Sequence, residues 1–355
     1  MINEILVEPQ HVAWLPWAAS YFFFIGLAAT AVAGAVMMRY VKQASSQQEL
    51  IAVAVALTCA IVAPIALTAD LHQPTRVWHF YTVLTYWSLM WWGAYILPFF
   101  TMTVAAYFLL LFYQVKQPMT AKLAARLAIW LHWVRGLVLI SVAAILFYTC
   151  MEVYQVQARP LWHNPWFAPL IIFSALPTSM LLIQWTVKLR TQQNLAYLRH
   201  WALFSLTLFI LALIGLCTAS GDIADQLTQL YQQKTLPIFT AVFALVIAGW
   251  LLLPPFRFSL GLSVIFALIF TGMVRWVLFI QVQTLAKYNA LANPYHFEWN
   301  ADGGLGMLSM LGLWALVSVL MWQLLNMTKT PTEQKIATLN KPHSTPHNTQ
   351  TGVLS

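Results

Sequence analysis

The feature that most constrains this chain is a succession of apolar runs, each long enough to cross a lipid bilayer as a helix. Crossing the hydrocarbon core takes about 20 residues at a rise of 1.5 Å each. Nine segments meet that length: 15–38, 50–69, 88–113, 127–149, 166–187, 201–219, 237–254, 259–284 and 304–326. Charged residues make up only 8% of the 355, against about 25% in a soluble domain, and no polar stretch between the runs is long enough to fold alone. The expected fold is all-α: a polytopic transmembrane helical bundle of about nine spans. Residues 1–326 read as one transmembrane domain. Residues 327–355, rich in Thr, Asn, Gln, His and Pro, read as a disordered tail, because they lack apolar surface to bury.

The distribution of Lys and Arg orients the bundle. Arg39, Lys42, Lys116, Lys122, Arg126, Lys188, Arg190, Arg199, Arg257, Lys329, Lys335 and Lys341 fall on one set of loops, and Arg76, Arg159, Lys234 and Lys287 on the other. Positive loops stay in the cytoplasm, so the N-terminus is expected outside and the tail inside. Glu4, Glu8, Asp70, Glu152, Asp222, Asp225, Glu298 and Asp302 sort to the outer side, leaving Glu49 and Glu333 inside. The formal charge of +8 therefore reflects membrane polarity and not nucleic-acid binding. Residues 1–13 contain two glutamates and no basic residue, unlike a signal peptide, so the first span reads as uncleaved.

Polar side chains gather at the outer face. The densest group is Asp70-Leu-His72-Gln-Pro74-Thr-Arg76-Val-Trp78-His79, which follows an apolar run. Ionisable groups are costly at membrane depth, so such a cluster marks a candidate site. Tyr21 lies in the outer half of the first span and Glu152 at the end of the fourth. Arg159 and Trp162 lie in the loop that follows, and Ser220-Gly-Asp222 follows the sixth span. A plainer reading stays open, with Asp70 and Arg76 as an ion pair at the Pro74 turn, Glu152 with Arg159 as another, and Trp78 as part of an interfacial aromatic belt.

Several segments together resemble the NrfD/PsrC family of membrane quinol dehydrogenase subunits. They are Leu15-Pro-Trp17 with Tyr21 to Gly26, Ala66 to Tyr81, Ala158-Arg-Pro-Leu-Trp162, Ser220-Gly-Asp222, and Arg275 to Gln283 with Asn289 and Asn293-Pro-Tyr295. The resemblance implies an anchor in the bacterial inner membrane that oxidises menaquinol or ubiquinol near the periplasmic face, with no haem or metal of its own. The implied partners are a periplasmic four-cluster iron–sulfur subunit and a molybdopterin catalytic subunit that reduces tetrathionate to thiosulfate. Polysulfide, nitrite or another sulfur oxyanion is the alternative acceptor, and a proton-conducting membrane subunit the alternative role. Quinol oxidation requires a proton acceptor at each hydroxyl. Asp70 and His72 are the expected acceptors, with Tyr21, Arg76, Trp78, His79, Glu152 and Arg159 as candidate quinol contacts.

Arg135 and Arg275 lie inside spans, and Gln281 follows on the second of these helices. Each marks either a proton path from the cytoplasm or a buried polar contact. Cys59, Cys150 and Cys217 stand alone, without the spacing of a zinc or iron–sulfur site.

Overall fold

The computed structural model describes residues 12–71, 73–83, 85–117, 119–233, 257–285 and 295–327. The expected span 237–254, His72 and almost all of the 327–355 tail lie outside the described residues. Within them, eight helices are long and apolar enough to cross a membrane, one for each of the other eight expected runs. They are α1 (Pro16–Lys42), α2 (Ser46–Asp70), α4 (Leu89–Lys116), α5 (Ala121–Tyr154), α6 (Phe167–Thr191), α7 (Ala196–Cys217), α9 (Arg257–Trp276) and α10 (Gly304–Met327). Helix α9 runs on through a π-helical turn, Val277–Gln281, and a last turn, Val282–Thr284. The short helices α3 (His79–Thr82) and α8 (Asp222–Gln232) complete the set.

The ends of these helices follow from local chemistry. Pro16 opens α1, where the missing N–H costs nothing, and Arg39 and Lys42 occupy its last turn, facing the negative end of the dipole. Ser45 caps α2, its Oγ accepting from Gln48 N–H while the Gln48 side chain accepts from Ser45 N–H. Lys116 closes α4, and Lys188 and Arg190 close α6. These ends define a basic end of the bundle; Asp70 and Glu152 lie at the opposite, acidic end. Helix α5 runs from Ala121 to Tyr154, longer at both ends than the expected 127–149, because no proline interrupts it once it leaves the hydrocarbon. That extension places Tyr148 and Glu152 one turn apart on a single helix.

Helix α1 is the hub. Its most apolar window is 89% buried, against 17% for α10. It packs in parallel with α6 in constant register: Gly26 meets Ala175, Thr30 Oγ1 lies 2.8 Å from Ser179 Oγ, and Gly34 meets Met180 and Ile183. The small-residue ladder of α1 thus serves this interface, where close approach replaces hydrophobic driving force. Prolines interrupt the ladders of α2 at Pro64 and α4 at Pro98. Pro64 cannot donate to the Ala60 carbonyl, and Thr101 Oγ1 approaches that oxygen at 3.4 Å from α4.

Candidate functional site

At the acidic end, three side chains from two helices converge, the buried Tyr21 and Tyr148 and the half-buried Glu152. Tyr21 of α1 is fully buried, and its hydroxyl interacts electrostatically with Tyr148 and Glu152 of α5. The Tyr148 hydroxyl engages the Glu152 carboxyl. Tyr21 Oη and Glu152 Oε2 are buried without a hydrogen-bond partner. Buried polar atoms are nearly always paired, so two unpaired atoms in one cluster identify a place where a polar ligand would be satisfied. Asp70, at the end of α2, is near enough to Glu152 for like-charge interaction, and its Oδ1 accepts from Leu15 N–H at 3.4 Å.

Beside this cluster lies a cavity of about 340 Å³ between α2, α4 and the end of α5. Its walls are largely apolar (Pro64, Leu67, Met90, Leu97, Pro98), while Tyr148 and Glu152 supply polar groups. Pro64 and Pro98, the internal prolines of α2 and α4, both line it. Gly93 makes room for the Tyr148 ring: a Cβ at that position would sit 2.1 Å from the ring and its hydroxyl. An apolar cleft with a few convergent polar groups is the usual form of a small-molecule site. This one suits a flat, largely hydrocarbon molecule with a hydroxyl at its head.

The other expected site residues have different surroundings. Arg76, Trp78 and His79 are exposed, with the Trp78 and His79 rings 3.9 Å apart. Arg159 does not form the expected pair with Glu152. It donates instead to the carbonyls of Val282 (2.6 Å), Gln283 (2.9 Å) and Leu285 (3.4 Å), closing the end of α9. Burial pulls its guanidinium down to about 10, which leaves it cationic at neutral pH. Trp162 Nε1 donates to Leu278 O, within the π turn, at 2.6 Å, so the Arg159–Trp162 motif serves both a carbonyl of the π turn and the orphan carbonyls at the helix end. Gln281 lies in that turn, half-buried.

Arg275 is fully buried and donates to Phe22 O (3.1 Å), Ser174 Oγ (2.9 Å) and Ile171 O (2.9 Å). Gly26 leaves the space for it. Arg135 pairs with Glu49 in two bonds, Nε to Oε1 at 2.6 Å and Nη2 to Oε2 at 3.0 Å. Tyr107 donates to the same carboxylate, and Arg39 approaches at 3.8 Å. Each of the two arginines inside spans is therefore in a buried polar contact.

Two contributors are not evident from the sequence. Glu49 reads as a loop residue but sits buried in the first turn of α2, a placement its Ser45-x-x-Gln48 capping pattern could have signalled. Gln283 accepts from Ala13 and Trp14 N–H (3.0 Å each) and donates to Trp14 O at 2.9 Å. It thereby ties α9 to the segment whose Leu15 N–H meets Asp70. Among the described residues, no three His, Cys, Asp or Glu side chains form a metal-binding group, and the three cysteines are free thiols.

The family model described as "Polysulphide reductase, NrfD" matches residues 6–287. The subunit designated C of the tetrathionate reductase of Salmonella typhimurium is 35% identical over 342 residues, covering 92% of this chain and 96% of that protein. The interlocked segments described above, from Trp14 and Tyr21 through Arg159 to Gln283, all lie within the matched region. This chain belongs to the NrfD family of polytopic membrane subunits.

Proposed function

We propose that this chain oxidises membrane quinol at the cavity between α2, α4 and α5 and passes the electrons to an iron–sulfur partner subunit. The observation that carries this reading is the pairing of an apolar, lipid-depth cavity with the unsatisfied Glu152 carboxyl and the Tyr148 hydroxyl. Glu152 accepts the proton of one quinol hydroxyl as the first electron leaves and, after passing it on, the proton of the other hydroxyl as the second electron leaves, so two protons accompany the two electrons. Tyr148 holds that hydroxyl or carboxyl in line, and Tyr21 supplies a second buried hydroxyl. Asp70, at the end of α2, and His72, two residues on in the sequence, take the proton onward to water, and the exposed Arg76, Trp78 and His79 lie on the face offered to the partner. In this reading the acidic end is periplasmic and the membrane is the bacterial inner membrane. The similarity to a tetrathionate reductase subunit supports tetrathionate as the terminal acceptor, reduced to thiosulfate on a molybdopterin subunit.

The test compares two electron donors in membranes containing the whole complex. Glu152→Gln is expected to abolish tetrathionate reduction from a menaquinol or ubiquinol analogue while sparing reduction from a soluble artificial donor. Full quinol-linked activity in that variant overturns the assignment. Equal loss with both donors marks failed assembly, in which case Tyr148→Phe, which keeps the ring, repeats the test.

A further inference from the structure

A second apolar groove lies at the basic end, away from the proposed quinol cavity. It has a volume of about 320 Å³ and runs between α2, α6 and α10, with the indoles of Trp185, Trp314 and Trp322 on its walls. From Trp314 to Leu325 it follows about 16 Å of helix axis at 1.5 Å per residue. That is about half of a ~30 Å hydrocarbon core, the depth of a single leaflet. At its mouth two cations meet on one oxygen: Lys116 Nζ lies 2.9 Å and Arg190 Nη2 3.1 Å from Leu325 O. The Arg190 guanidinium also lies over the Trp322 ring at 4.9 Å. Basic pockets between transmembrane helices, flanked by interfacial tryptophans, have the chemistry of a phosphate headgroup above an acyl chain.

We propose that this groove binds an anionic phospholipid, its phosphate bridging Lys116 and Arg190 and one acyl chain lying along the three indoles. Charge complementarity selects the headgroup, and the one-leaflet depth selects a lipid over a soluble anion. The site also answers a packing need. Helix α10 is the least enclosed span among those described, and a wedged lipid extends the contact with α6 that Arg190 makes at the mouth, to Leu325 and Trp322.

The test is native mass spectrometry of the delipidated whole complex, titrated separately with phosphatidylglycerol, phosphatidylcholine and inorganic phosphate. Phosphatidylglycerol is expected to bind at least fivefold tighter than phosphatidylcholine. Arg190→Gln should reduce that preference to under twofold, and Arg190→Lys should keep it. Should Arg190→Gln fail to assemble, Lys116→Gln carries the same expectation. Equal binding of the two lipids, or an undiminished preference in Arg190→Gln, overturns the proposal. So does inorganic phosphate displacing the lipid completely, which would mean an anion site without a chain. A bound mass of quinone or of a second copy of this chain overturns it equally.

Discussion

Two glutamates at opposite ends of this bundle occupy contrasting surroundings. Glu49, at the basic end, has no exposure; both its oxygens are taken by Arg135, and Tyr107 donates to it as well. Glu152, at the acidic end, engages Tyr148, keeps one oxygen without a partner and borders a cavity. A saturated buried ion has spent its hydrogen-bonding capacity on holding helices together. An unsaturated one retains capacity for a ligand, at a cost in stability that a purely structural group need not bear. The same contrast separates Arg275, held by two carbonyls and the Ser174 hydroxyl, and Arg159, held by three carbonyls, from Tyr21, whose hydroxyl has no partner.

The largest effect is expected on the saturated side. Arg135→Ala leaves the Glu49 carboxylate buried without its main partner and should cost about 3–5 kcal/mol, measured as lost thermal stability and yield of the complex. Replacing both partners, Glu49→Leu with Arg135→Met, should recover most of that loss and leave quinol turnover near normal. If the double variant folds but is inactive, Glu49 is more than a brace.

On the unsaturated side the order of effects reverses, with activity falling and stability holding. Glu152→Gln should lower quinol-linked kcat by about 100-fold or more, while its melting temperature stays close to that of the wild type. Gly93→Ala forces a Cβ into the Tyr148 ring; displacing that ring should cost on the order of tenfold in turnover, with the soluble-donor rate unchanged. The smallest effect is Tyr21→Phe. Removing an unpaired buried hydroxyl should raise stability by about 1 kcal/mol and change turnover by less than about threefold. A large activity loss there would move Tyr21 into direct contact with quinol.

Much of this architecture is legible in the sequence, because membrane helices declare themselves by length and hydropathy alone. The Gly26-Thr30-Gly34 ladder also points to a close helix contact, which the structure assigns to α6. What stays hidden is partnership across the sequence. Glu49 and Arg135 are 86 residues apart, and nothing local to either says that α2 and α5 bring them together. The sequence directs attention to the acidic end through the dense Asp70–His79 motif, whereas the unpaired buried atoms lie on α1 and α5, and the motif lends the cavity wall only the apolar Leu71 and Val77. Residues that are neighbours in sequence signal themselves, but Tyr21, Gly93, Tyr148 and Glu152 come from three helices and meet only on packing. Arg159 misleads for a related reason. A loop arginine near a glutamate suggests an ion pair, but the C-terminal turn of α9, just past the π turn, presents it with three carbonyls instead.

The most direct test of quinol oxidation beside Glu152 is photoaffinity labelling of the intact complex with an azido-quinone, followed by peptide mapping. Labels are predicted on the cavity walls of α2 and α4 around Leu67, Met90 and Leu97, and on the end of α5 near Glu152, all competed by unmodified quinol. Labels confined to the basic end, around Trp314 and Trp322, would contradict that prediction and place quinol in the groove assigned above to lipid.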